Sequence, residues 1–318
     1  MSTTVGCEVL QPSLLNAAQA INFSHWAITL RLDSDAILEA NKGNILHGGF
    51  GRALAKISSA LYDQLFAQQG QNNRKASPFM LYCLDNTQRH YLAGQQLTIE
   101  LRLFAADEAV LNGVRQAFIA WQALGLGEDR SSFSLLQIIN NQGALLYSAE
   151  LGELIIPSQC SIAEILQQRL KAFITSPFPQ GEVFYRLVTQ SRCRIQRHGM
   201  PIKTVPDLDI WLNAITRRFM GLLPEDYPLE RITEIRKGKP EQQSMRVVFA
   251  DAHFSDWQKY SVKDKRMVNI GGLIGQWHYA NIDLETLQWL VLGEYIGIGN
   301  KTSFGFGCYV GYLGYKTC

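Results

Sequence analysis

The sequence is short of several features that would decide its class quickly. Six cysteines among 318 residues (Cys7, Cys83, Cys160, Cys193, Cys308 and Cys318) form no C-x-x-C pair. That spacing argues against a zinc site and a disulfide framework, and it fits a reducing compartment, so a cytoplasmic location is expected. No apolar run reaches the length of a membrane span, so no membrane partner is expected. The start, Met1-Ser-Thr-Thr-Val-Gly-Cys-Glu8, lacks a basic segment followed by an apolar core, and no secretory leader is expected. No carboxylate cluster or His-rich triad stands out; a metal is not expected, nor any other cofactor, and two-metal nuclease chemistry is disfavoured. An RRM aromatic signature is also missing from the second half.

Charge is low and uneven. The net is only +2. Residues 1–178 hold 12 Lys/Arg and 14 Asp/Glu; residues 179–318 hold 18 and 14. The excess of cations is compatible with a phosphate partner in the second half without requiring one.

What the sequence does have is a glycine-rich stretch near its end, Gly293-Glu-Tyr-Ile-Gly297-Ile-Gly299-Asn-Lys301-Thr-Ser-Phe304-Gly305-Phe-Gly307. An apolar helical run, Leu284–Leu292, precedes it and a strand-like run, Cys308–Tyr315, follows. A dinucleotide fingerprint needs strand, glycines, then helix, the opposite order. A Walker loop needs Gly-Lys-Ser/Thr opening a helix, whereas Asn300-Lys301-Thr302 opens a strand. Two readings stay open: a loop whose N–H groups line an anion-binding concavity, or a bent glycine-rich edge strand.

Periodicity places strands at Trp26–Leu32, Phe79–Leu84, Gln96–Phe104 and Phe133–Ile139, and helices over Leu46–Phe66 and Glu108–Leu124. That is β-α-β-β-α-β, the ferredoxin-like order. Ala144–Tyr147 reads as a strand across a turn from its predecessor. Residues 1–20 read as a polar lead-in. After a short helix at Ile162–Ile174, the order repeats: a strand at Phe184–Ile195, a helix at Leu208–Leu223, a polar excursion over Pro224–Gln243, a strand starting over Met245–Phe249, another within Met267–Tyr279, a helix at Leu284–Leu292, and a last strand. The expected fold is α+β, two tandem ferredoxin-like (RRM-like) domains with a C-terminal glycine-rich loop, divided as 1–178 and 179–318. Trp121…Gly125-Leu-Gly127…Phe133 and Trp289…Gly299…Phe304 share one helix–glycine–strand position, a weak internal repeat.

Trp257-x-x-Tyr260-Ser261, then Met267-x-x-x-Gly271-Gly272-x-x-Gly275, then the glycine stretch resembles the C-terminal half of the CRISPR-associated precursor-RNA processing endoribonucleases of the repeat-associated mysterious protein (RAMP) superfamily. Leu46-His-Gly-Gly-Phe-Gly-Arg-Ala-Leu54 looks familial as well. The resemblance implies two ferredoxin-like domains. It implies a metal-independent endoribonuclease that binds CRISPR repeat RNA and makes mature crRNA by 2′-OH attack, giving a 2′,3′-cyclic phosphate. The alternative is a non-catalytic RAMP subunit that binds guide RNA within a CRISPR effector or adaptation complex. Other CRISPR-associated proteins are candidate partners beside the repeat RNA.

Such chemistry needs an acid and a base, and groups that stabilise charge on the phosphate. Among six histidines, His47 lies where the first helix begins, the place of a catalytic His in several members of the resembled family. Arg52 and Lys56 follow it along the helix and complete the expected catalytic set. The expected RNA contacts are Arg192, Arg194 and Arg197, read as one strand face, with His198 in the turn after them; Lys259, Lys263, Lys265 and Arg266 after Trp257; and Gly297, Gly299, Lys301, Gly305 and Gly307 in the loop. The resembled family's pattern carries a His inside the loop, where this chain has Gly297. That difference bears on whether this chain cuts RNA.

Overall fold

The computed structural model describes residues 11–66, 75–83, 85, 87–104, 106–154, 159–174, 182–237, 246–261 and 266–316. Its chain order begins with helix α1 (Pro12–Gln19) and strands β1 (Asn22–Leu32) and β2 (Ala36–Ile37), then α2 (Gly43–Ile57), α3 (Ser59–Phe66), β3 (Phe79–Tyr82), β4 (His90–Tyr91), β5 (Gln96–Phe104) and α4 (Glu108–Trp121). Strands β6 (Phe133–Asn140), β7 (Leu145–Ser148), β8 (Gly152–Glu153) and β9 (Cys160–Ser161) precede α5 (Ile162–Phe173). The remainder is β10 (Glu182–Thr189), β11 (Gln196–Arg197), β12 (Met200–Pro201), α6 (Leu208–Leu222), α7 (Leu229–Lys237), β13 (Arg246–Ser255), β14 (Gln258–Ser261), β15 (Arg266–Asn269), β16 (Gly272–Ala280), α8 (Leu284–Ile296) and β17 (Tyr309–Lys316).

Two compact units emerge. One comprises Asn22–Cys160 with Gly299–Gly307; the other comprises the described residues of Met1–Ile21, Ser161–Ile298 and Cys308–Cys318. Neither is contiguous in sequence. Helices α1 and α5, counted with the first half when the chain is cut at 178/179, group with the second unit, and the glycine loop groups with the first.

In the first unit the sheet order is β3-β5-β1-β6-β7-β8. Its central part, β3-β5-β1-β6, is the antiparallel ferredoxin-like order with two crossover helices, α2 and α4. Alternation sets the register. Ile28 and Leu30 sit opposite Ile99 and Leu97, so one face of the sheet is apolar and buried. Trp26, Phe50, Phe118 and Trp121 fill the core against α2 and α4. Strand β7 folds back on β6 as expected, with Ile138 opposite Tyr147.

The second unit repeats the plan: the order β13-β16-β10-β17 is again antiparallel, with α6 and α8 as crossovers. Trp211 of α6 meets Trp277 of β16 edge-on at 5.1 Å and Tyr309 of β17 at 5.3 Å. The repeat noted in the sequence has a backbone counterpart. Gly125 ends the helical segment after Trp121 at φ 73°, ψ 170°, and Gly297 ends α8 at φ 72°, ψ 175°. Only glycine adopts this region readily.

Some expectations are corrected. The lead-in contains α1, which opens at Pro12 and buries Leu14, Ala17 and Ala18. The helix expected over 46–66 is two helices. Ser58 is extended (φ −160°, ψ 119°) and its hydroxyl accepts from Leu61 N, which starts α3 anew. The charged excursion holds α7, which buries only Ile235. The strand expected to run to Ile195 stops at Thr189, and only Cys193 pairs onward, with Leu273.

Candidate active site

The first unit brings two separate stretches of the sequence together. Lys42, buried ahead of α2, donates through Nζ to the carbonyls of Asp85 and Gln88 at 2.7 and 2.9 Å. Burial pulls its pKa down, and these bonds fix where α2 begins. The next residue is Gly43, and a Cβ there would lie 2.1 Å from the carbonyl oxygen of Phe304. The glycine loop therefore rests on the first turn of α2, backbone against backbone. One turn further, the half-buried imidazole of His47 stacks on the Phe304 ring, centroids 3.8 Å apart and planes 10° from parallel. Phe66 meets the imidazole edge-on at 4.9 Å.

The loop is a tight structure of its own. Lys301 is left-handed at φ 65°, a single 3₁₀ turn spans Thr302–Phe304, and Gly305 is again left-handed at φ 78°. The Lys301 carbonyl accepts from both Phe304 N and Phe306 N. Thr302 and Ser303 are buried while the Lys301 side chain is exposed. Its ammonium lies 5.7 Å from the Phe304 ring centroid. An imidazole and an ammonium thus approach one phenyl ring. Stacking fixes the imidazole plane, and Nε2 of the ring is buried. The ammonium supplies positive charge nearby.

The other expected catalytic residues are not on this face. At about 100° per residue, Arg52 lies roughly 140° round α2 from His47, and Lys56 roughly opposite it. Both are exposed, and an Arg52 guanidinium nitrogen lies over Gly48. Lys301, which the sequence reading assigned to RNA contact, is the cation in the arrangement. Contact between residues 257 positions apart left no signal in local periodicity.

The loop glycines serve the protein first. A Cβ on Gly305 would meet Tyr82 Cβ at 2.6 Å and the Leu81 carbonyl oxygen at 2.9 Å. The close approach expected toward a ligand is thus made toward β3. Gly297, Gly299 and Gly307 have φ of 72°, 74° and 82°, so each is set by its backbone.

The arginines do not form one strand face. Arg192 donates to Ser255 Oγ and sits 5.8 Å from the Trp257 ring. Arg194 donates to the Gly271 carbonyl at 2.8 Å. Burial lowers the pKa of both. Arg197 lies at an odd offset from them, so period two already opposes it, and it belongs to β11, paired with Met200. His198 and Gly199 both have positive φ, 50° and 79°, and form the two-residue turn of that hairpin. Arg266 is exposed on β15, and Lys259 lies on β14 opposite Val268. Lys263 and Lys265 lie outside the described residues. Among the described residues, no three His, Cys, Asp or Glu side chains group as metal ligands, and no helix is long and apolar enough to cross a membrane.

A second titratable centre lies within the second unit. The buried Glu294 of α8 accepts from Tyr185 Oη at 2.6 Å and pairs with Arg169 of α5 at 3.2 Å. Arg169 also donates to the Gly311 carbonyl. Burial outweighs these partners and pushes the carboxyl up to about 7. This network joins α5, α8, β10 and β17, and it explains the Glu in the Gly-Glu-Tyr sequence as a residue of the interior.

Known proteins can be compared with this geometry. A family model described as CRISPR-associated endoribonuclease Cas6 matches residues 186–309, and one described as an N-terminal domain matches residues 21–158. No curated protein matches. Among solved structures, a partial Cas6-RT-Cas1–Cas2 complex superimposes with a TM-score of 0.58 at 13% identity, covering 93% of this chain and 46% of that one. A second structure of that complex is covered over 29% of its chain, so this protein spans less than half the length of these two. A Cas6 product complex gives 0.56 at 19% identity, and Thermus thermophilus Cas6 gives 0.53 at 17%; each match covers 92% of this chain and 99% of the other. At such identities the structures show the fold alone. Residues 186–309 thus match the CRISPR-associated endoribonuclease Cas6 model, and the chain shares its fold with the solved Cas6 structures.

Proposed function

We propose that the protein is a metal-independent endoribonuclease that cuts CRISPR repeat RNA by attack of the substrate's 2′-OH, leaving a 2′,3′-cyclic phosphate. The carrying observation is the His47–Phe304 stack with Lys301 at the same ring. His47 takes the 2′-OH proton, or gives one to the departing 5′-oxygen. Lys301 stabilises the charge that builds on the phosphate, the role first assigned to Arg52 and Lys56. The nucleophile is the substrate's own, so no metal-bound water is required. Arg192, Arg194, Arg197, Lys259 and Arg266 are proposed phosphate contacts that hold the RNA without reading it. The partners are repeat RNA and, by analogy with the Cas6-RT-Cas1–Cas2 complex, other CRISPR-associated proteins, in the cytoplasm.

A second reading, a guide-RNA-binding subunit without cleavage, draws on Gly297. Its φ of 72° at the end of α8 suits glycine and disfavours the His carried by relatives.

Incubation with cognate repeat RNA in EDTA separates the two. The wild type is expected to cleave, and His47→Ala to slow cleavage by about 100-fold or more with RNA affinity nearly unchanged. Mass spectrometry of the 5′ product should find the cyclic phosphate. No cleavage by the wild type supports the binding subunit; full activity in the variant moves the chemistry to another residue.

A further inference from the structure

The sheet of the second unit is buried on one face and open on the other. Tyr185, Leu187, Trp277, Tyr279 and Tyr309 are buried, on the side of α6 and α8. On the opposite face the strand registers draw one row across all four strands. Phe249 of β13 is opposite His278 of β16, His278 is opposite Arg186 of β10, and Arg186 is opposite Tyr312 of β17. Phe249 and Tyr312 are 43% and 52% exposed, and Arg186 is exposed. At 4.7–4.9 Å between neighbouring strands the row spans about 14 Å.

The row is ordered. Phe249 and His278 have ring centroids 4.8 Å apart, and Phe184 stacks on His278 at 5.7 Å and 9°. The Arg186 guanidinium lies 5.9 Å from the Tyr312 ring and donates to Gln276 Oε1 at 3.0 Å. Gly314, opposite Phe184, leaves room for that ring, since a Cβ there would meet it at 2.2 Å. Burial and the neighbouring Arg186 hold the His278 pKa below its usual value.

We propose that this row is a stacking platform for unpaired nucleotides of the RNA. The proposal rests on the RNA-processing reading above and adds a substrate feature to it: single-stranded bases laid across the second unit's open sheet. Exposed aromatic faces gain by covering, and every base offers a π-face. The cation decides between occupants. An apolar protein surface would bury the Arg186 guanidinium against an amide partner only, which is costly. A nucleotide brings a base for Tyr312 and a phosphate for Arg186 together. The span of about 14 Å accommodates two or three splayed bases. No local motif announces the platform, because its residues come one or two from each of four strands.

The test uses the full-length protein with two probes: a short unpaired RNA carrying 2-aminopurine, and a fully paired RNA hairpin. The wild type is expected to bind the unpaired probe and quench its fluorescence. Phe249→Ala and Tyr312→Ala should each weaken that binding by about 5- to 150-fold and relieve the quenching. Tyr312→Phe should restore both, and affinity for the paired hairpin should hold. Variants with unchanged melting temperature that bind the unpaired probe like wild type overturn the platform, and cleavage of repeat RNA by the wild type shows that the nuclease reading survives. Equal losses on both probes also overturn base stacking. Loss of a protein partner in place of RNA binding reassigns the face to protein. A wild type that binds neither probe overturns the platform, and cleavage of repeat RNA still decides the nuclease reading.

Discussion

At the residue scale, Gly305 and Lys301 separate two roles that the glycine loop combines. Gly305 has φ 78° and sits against the backbone of β3. A left-handed conformation costs an L-residue roughly 1–2 kcal/mol, and the Leu81 carbonyl cannot swing away as a side-chain tip could. Gly305→Ala is therefore expected to destabilise the protein by roughly 2 kcal/mol or more, read as a lower urea midpoint. The Lys301 side chain is exposed, although its backbone is left-handed too. Lys301→Ala should leave the midpoint within about 0.5 kcal/mol. It should weaken RNA binding and flatten the salt dependence by about one phosphate contact. If Gly305→Ala keeps wild-type stability and loses only RNA binding, the close approach belongs to the ligand after all. These roles were only half legible in the sequence. The glycine spacing signalled close approach, but what approaches, β3 and the first turn of α2, is fixed by long-range folding.

At the element scale, chemistry written locally was readable and chemistry supplied by distant residues was not. Helices α4 and α8 begin at Asp107 and Asp283, whose side chains accept from the backbone N–H three residues on. Both were expected from apolar periodicity, as were β1, β5 and β6, where alternation meets a buried face. Helix α7 escaped because Ile235 alone faces the interior, and α1 escaped because eight residues containing two buried alanines make little apolar pattern. The break at Ser58 has a local signal, Ser-Ser between apolar runs, which is a cap signal. The caps have a measurable value. Asp283→Ala removes the acceptor 2.7 Å from Thr286 N and should cost about 1 kcal/mol. A Glu285→Ala control, which leaves the cap, should shift the urea midpoint by less than half as much.

At the scale of the whole molecule, the doubled ferredoxin-like plan was the most legible property, since it depends only on element order. The discontinuity of the two units was not legible, because which unit α1, α5 and the glycine loop join depends on contacts made after the chain has returned. The Glu294 network shows one consequence of that return. It ties α5, from before the second unit's first strand, to α8 and β17 at its end. Burial raises the Glu294 carboxyl from 4.5 to about 7, so between those values the folded state holds a proton that the unfolded chain releases. The stability linked to this group is present below about pH 4.5 and is lost as pH rises through about 7, a loss of about 3 kcal/mol at one pKa unit per 1.36 kcal/mol. The Asp85 carboxyl acts in the opposite direction: desolvation raises it, but backbone hydrogen bonds from Gln88 and Thr87 outweigh that and lower it, so the signature is a difference between proteins. The stability of Glu294→Gln minus that of wild type should grow as pH is raised from 5 to 8. The amide keeps the Tyr185 hydrogen bond and needs no ionisation, but it leaves Arg169 without its carboxylate. If the Arg169 pairing dominates, the difference instead becomes more negative as pH rises, and Arg169 then outweighs burial and favours the ionised form of Glu294.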